Sequence, residues 1–198
     1  MTKTIEFTSD VKFGEDAISS IEVHPIHFVE LVGIWNRAFA ATSKKEVVLQ
    51  RARIMQQTHF MNGDKRIFPD EAQLRSLPLD VAKSIISSLE LGQGVPGKVL
   101  GDGNGISSPV LYKLGTPISA KTGKGEKVEI SELEFQATTY GEVEDVLASV
   151  SEMSQTIALI QGIAKPVSTT LMALPGWAID RISVADGLTI MKEVLPRF

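Results

Sequence analysis

The segment ISELEFQATTYGEVEDVLA, residues 130–148, lies over ISSIEVHPIHFVELVGIWN, residues 18–36, at a constant offset of 112. Ile18/Ile130, Ser19/Ser131, Glu22/Glu134 and Glu30/Glu142 are identical. Ile21/Leu133, Val23/Phe135, Phe28/Tyr140, Leu31/Val143, Ile34/Val146 and Trp35/Leu147 keep apolar character. In both copies a period-two pattern gives way to helical spacing at the same point. A chain that repeats itself in this way folds as two copies of one module, or as two domains that share a common supersecondary pattern.

The surrounding sequence parses alike in both copies. TIEFTSDVKF and VLYKLGTPISA alternate apolar and polar residues as half-buried strands do. A polar turn follows, GEDA in the first copy and KTGKGEK in the second, and then ISSIEVH and VEISELEF complete a β-hairpin. Thr139 stands three residues before Glu142 and Ser43 three before Glu46, two capping boxes that open helices. SKKEVVLQRARIMQQTHF and SEMSQTIALIQGIAK are predicted as matching helices, the second stopped by Pro166. At an offset of 106, Asp80 meets Asp186 and Leu89 meets Leu195, so each copy closes with a helix carrying an acid in its first turn, where the dipole favours it. The predicted class is therefore α+β: two similar units, each a β-hairpin followed by three or four helices, helix-rich overall.

Between Leu91 and Val110 the chain reads LGQGVPGKVLGDGNGISSPV, with six glycines in twenty residues. Such a stretch buries little side chain against its backbone entropy and is expected to be an exposed connector. It divides the chain into a first unit at 1–90, a connector at 91–110 and a second unit at 111–198.

Composition narrows the function classes. The 198 residues contain 43% apolar and 22% charged side chains, ordinary for a globular protein, and no cysteine, which removes disulfides and thiolate chemistry. The net charge of −4 arises in the second half, and no basic stripe offers itself to phosphates, so nucleic acid is not an expected partner. Apolar runs such as LMALPGWAI are too short and broken to span a bilayer, and Met1-Thr-Lys-Thr-Ile-Glu has no signal-peptide core. The expected setting is cytoplasmic, away from membranes.

Catalytic motifs do not hold up. GQGVPG at 92–97 has dinucleotide-loop spacing but follows a helix and contains Pro96. GDGNG at 101–105 lacks the later ligands of a calcium loop, GKGEK at 123–127 lacks the Lys-Ser/Thr pair of a phosphate loop, and no G-x-S-x-G occurs. His24 and His27, three apart, could take zinc with an acid, but Gln136 and Thr139 replace them in the second copy and no spacing points to further ligands. Glu22 and Glu134 have the pattern of a solvated strand face. No catalytic, metal or cofactor residue is expected, and the cofactor expectation is none. The candidate protein-contact residues are Phe28, Trp35, Phe39, Leu171, Met172 and Trp177, since tryptophan and methionine are favoured at contact hot spots, although most such residues are core.

From Tyr112 to Phe198 the sequence resembles the tail assembly chaperones of contractile-tailed bacteriophages. The resemblance rests on Pro117-Ile118, ISELEF at 130–135, Glu142, ALIQGIAKP at 158–166, LMAL at 171–174 and the closing segment from Asp186 to Phe198. It implies a non-enzymatic role: coating the tape-measure protein and recruiting tail-tube subunits in the host cytoplasm. Family members are usually single units, whereas this chain carries two, and a doubled module can instead remain in the virion tail as a baseplate component. Tail proteins are the implied partners, and self-association into a homo-oligomer is compatible with the role. A small metal-dependent enzyme using His24, His27 and an acid is the remote alternative.

Overall fold

The computed structural model describes residues 2–39, 45–91, 93–101, 109–121, 127–136, 144, 152–167 and 169–197. The chain divides into two units, Met1–Ile26 with Arg37–Gln93, and His27–Asn36 with Gly94–Phe198. Helix α1 (Phe28–Phe39) follows the first hairpin in sequence, yet its residues up to Asn36 belong to the second unit.

The first unit is built on a four-stranded antiparallel sheet in the order β1 (Lys3–Phe13), β2 (Asp16–Val23), β3 (Thr58–Asn62), β4 (Lys65–Ile67). Two-residue loops close both hairpins, and Gly14 and Gly63 take the positive φ of 65° and 56° that such tight turns demand. Helix α2 (Lys45–Gln57) precedes β3; α3 (Glu71–Ser76) and α4 (Leu79–Leu91) follow β4. Asp70 caps α3 by accepting from the Gln73 amide at 2.7 Å while the Gln73 side chain accepts from the Asp70 amide at 2.9 Å. Val81, Ile85 and Leu89, one helical face of α4, are buried with Phe13, Ile18, Ile21 and Phe60, and the Phe13 and Phe60 rings stack 4.9 Å apart.

The second unit carries another four-stranded antiparallel sheet, in the order β5 (Lys98–Val99), β6 (Val110–Lys121), β7 (Lys127–Phe135), β8 (Ala164–Pro166). Helix α5 (Glu152–Ile163) leads into β8. Helices α6 (Gly176–Ile179) and α7 (Val184–Thr189) follow, and the chain continues through a π-helical turn at Ile190–Val194 and a 3₁₀ turn at Leu195–Arg197. Tyr112, Ile130, Leu133 and Phe135 from the sheet are buried with Ile160 of α5, Ile179, Ile182, Ile190 and, from α1, Phe28 and Val32.

Two expectations are corrected. The units are not helix-rich hairpin modules: each has a four-stranded sheet, and the fold is mixed α+β. The tails of both predicted middle helices are strands. Thr58-His59-Phe60 and Ala164-Lys165-Pro166 leave their helices to pair with β2 and β7, and the pairing buries Phe60 and Ala164 in the two cores. Pro166 sits on an edge strand, where a missing amide costs least. The two expected capping boxes, the helix from Glu142 and the tip of the Lys121–Lys127 turn lie outside the described residues, as does most of GDGNG.

The repeat extends to backbone register. β1 and β6 each carry a bulge at the same place: Glu6 to Val11 spans five steps against two on β2, and Lys113 to Ile118 five against two on β7. Val23 pairs with Thr58 as Phe135 pairs with Ala164, and Ile21 with Phe60 as Leu133 with Pro166. His24 donates its amide to Gln57 O at 2.7 Å, and Gln136 donates to Ile163 O at 3.0 Å. The fourth strand is the exception, added beyond β3 in one sheet and beyond β6 in the other.

Candidate functional site

Within the first unit, β2 and β3 bring three chemically capable side chains together. Glu22 of β2 lies directly opposite His59 of β3, and His24 follows just past the end of β2, on the same face as Glu22 by strand alternation. Glu22 Oε2 is 3.4 Å from His24 Nε2 and 3.7 Å from His59 Nδ1. The two imidazoles are 4.1 Å apart, centre to centre, at an interplanar angle of 44°. His24 Nδ1 lies 3.2 Å from Thr2 Oγ1. All three side chains are half-buried, and one donor atom from each fits within a 4.8 Å span. Burial, then the neighbouring His24 and Arg66 charges, lowers the pKa of His59 below its ordinary value against the opposing pull of Glu22, so the neutral imidazole is favoured at neutral pH.

His27, which sequence spacing paired with His24, belongs to the other unit. There it pairs with Ser183 in an isolated β-bridge, and its amide donates to Glu30 Oε2 at 2.8 Å, so that Glu30 satisfies the first amide before α1. The partner of His24 is His59, thirty-five residues on. In sequence THF continues the helical pattern of the segment before it, which hides the strand that carries His59. The signal was present in Asn62-Gly63-Asp64, a strong two-residue hairpin turn that marks β3 and β4 on either side.

In the second unit the principal polar feature is the carboxylate of Asp186, wholly buried. Its Oδ1 accepts from the Gly97 amide at 2.9 Å, the Gly115 amide at 2.8 Å and the Tyr112 hydroxyl at 3.0 Å. Its Oδ2 accepts from the Ser183 hydroxyl at 2.7 Å and the Thr116 amide at 3.3 Å. Gly115 and Thr116 lie in the β6 bulge, which frees their amides from the ladder. Asp80, its counterpart by repeat, is exposed. This arrangement fixes β6, the segment before β5 and α7 to one another.

The six contact candidates separate. Phe28 is wholly buried and Trp35 half-buried; Phe39 closes α1, with its side chain outside the described residues. Leu171 and Trp177 are partly buried against the second core, and the Arg181 guanidinium stands 5.8 Å from the Trp177 ring centre. Met172, between them in sequence, is 88% exposed. Among the described residues no helix is long and apolar enough to cross a membrane. Comparison with protein-family models, curated proteins and solved structures finds no match to this chain.

Proposed function

We propose that the chain is a non-enzymatic protein of bacteriophage tail morphogenesis, acting as a doubled form of the tail assembly chaperones it resembles. Its partners in this reading are the tape-measure protein and tail-tube subunits, bound in the host cytoplasm while the tail is assembled.

The observation that carries the reading is the shared register of the two sheets, bulge included. The segment resembling the chaperones, Tyr112 to Phe198, has its three-strand frame β6-β7-β8 repeated as β1-β2-β3 in the other half. Two tethered copies of one binding module suit a long helical partner, because engaging the first raises the effective concentration of the second. Met172 supports a contact role: a flexible, polarizable side chain held out beside core-packed Leu171 and Trp177 adapts to irregular apolar partners.

The test is co-expression with the tape-measure, tail-tube and baseplate proteins of the same genome, followed by affinity capture and mass spectrometry of purified virions. Co-purification of tape measure or tube protein, with the chain absent from finished particles, is the expected result. Stoichiometric peptides in virions would assign it instead to the tail structure, and capture of no tail protein at all would overturn the reading.

A further inference from the structure

The repeat provides an internal comparison for the cluster on β2 and β3. Glu22 faces His59 across the ladder, and His24 follows; at the matching places Glu134 faces Lys165, and Gln136 follows. Both sheets therefore keep the carboxylate and the amide bond that ends the second strand. Only the first surrounds the carboxylate with imidazoles. The sheet does not require them, since the second forms the same register with glutamine and lysine.

The electrostatics of the three side chains are incomplete by themselves. Distances of 3.4 Å and 3.7 Å from Glu22 Oε2 to the two ring nitrogens are too long for good hydrogen bonds. His24 Nε2 is shielded from solvent and has no hydrogen-bond partner among the described residues. In the tautomer whose Nδ1–H donates to Thr2 Oγ1, Nε2 keeps a free lone pair for a metal ion. One donor atom from each of the three side chains lies within 4.8 Å of the other two, close enough for all three to reach a single cation. Ligands about 2.0–2.1 Å from a tetrahedral zinc ion stand about 3.3–3.4 Å from one another. The His24–Glu22 edge already has that length, and the His59–Glu22 edge is within a few tenths of an ångström of it.

We propose that Glu22, His24 and His59 form a binding site for a divalent transition-metal ion, with zinc the best match to two imidazoles and one carboxylate. Glu22 supplies one carboxylate oxygen, His24 its Nε2 and His59 its Nδ1. Thr2 orients the His24 ring from behind, the usual outer partner of a ligating imidazole. Three protein ligands leave a fourth position for water or for a donor from a bound protein. The ion joins the end of β2 to the start of β3, and so ties the third strand of the sheet to the hairpin. This site stands apart from the tail-assembly reading, and neither depends on the other.

The test uses the full chain, stripped with chelator, titrated with Zn²⁺ by calorimetry and with Co²⁺ by visible absorption, whose d–d bands report coordination geometry. The informative variant is the double substitution His24→Gln with His59→Lys, which installs the residues of the second sheet and is designed to fold; circular dichroism in chelator checks that it does. The expected result is one equivalent of Co²⁺ with tetrahedral-type bands in the wild type and an unfolding midpoint raised by Zn²⁺. Both should be lost in the double variant and kept in His27→Ala. Glu22→Gln should weaken binding at least tenfold. The site is overturned if the wild type shows no saturable binding, if the double variant binds as tightly as wild type, or if His27→Ala abolishes binding.

Discussion

The Tyr112 hydroxyl donates to Oδ1 of Asp186 across 3.0 Å, and both side chains are wholly removed from solvent. A buried carboxylate is costly unless its lone pairs are met, and here three amides and two hydroxyls meet them. The bond therefore joins the sheet to α7 at a point where neither group has water to fall back on.

Asp186→Asn should destabilise the second unit by about 3 kcal/mol, since one amide orientation or the other turns an NH₂ against backbone donors. Asp80→Asn, at the exposed counterpart, should change stability by less than about 0.5 kcal/mol. Urea unfolding of both variants measures the difference; equal effects would mean that the buried donor set adds nothing.

Alkaline pH probes the same bond. Burial first, and the Asp186 charge second, hold the Tyr112 hydroxyl well above the usual phenol range. An unfolded tyrosine ionises near pH ~10, so above that value the folded state binds the proton more tightly than the unfolded one. The contribution is complete below about pH 10 and declines as pH rises toward the folded value. Tyr112→Phe should lower stability near neutrality by roughly 1–2 kcal/mol and flatten the loss that sets in above about pH 10. An unchanged alkaline slope in the variant would count against this assignment.

Gly187 is where Phe28 of α1 meets the backbone of α7. A Cβ added there would come within 2.1 Å of the Phe28 ring. Alanine is favoured over glycine in a helix by about 1 kcal/mol, yet Gly187→Ala should destabilise by about 2 kcal/mol because an aromatic ring in a packed core cannot withdraw. Combining it with Phe28→Leu should cost less than the sum of the two single changes, a coupling that a double-mutant cycle reads directly.

Met172→Ser should leave the unfolding midpoint nearly unchanged, within about 0.5 kcal/mol, while reducing capture of the tape-measure protein. Leu174→Ala, two residues away and buried, should instead destabilise by about 2–4 kcal/mol. If Met172→Ser leaves capture intact, the contact surface lies elsewhere.

The hairpins, the repeat and the closing helix from Leu79 were legible because each is local. Alternation marks a half-buried strand whatever it pairs with, and Val81, Ile85 and Leu89 announce a helical face by spacing alone. The matching pattern of the two halves was legible too, since a shared pattern needs no coordinates. The third strands were not. THF and Ala164-Lys165 continue good helical sequences, and runs of three to five residues have no periodicity that separates a helix end from a strand; pairing with β2 and β7 decided them.

The sequence by itself determined that the chain says one thing twice and that neither copy carries a recognised catalytic motif. Tertiary structure decided what the repeated positions became. Asp80 and Asp186 occupy the same place in the repeat, but only Asp186 has bulge amides, Tyr112 and Ser183 around it, so one acid is solvated and the other buried. Glu22 and Glu134 are likewise equivalent, and His59 reaches Glu22 only because β3 pairs in that register. A side chain's chemistry is set by the neighbours that surround it, and those neighbours come from distant parts of the chain.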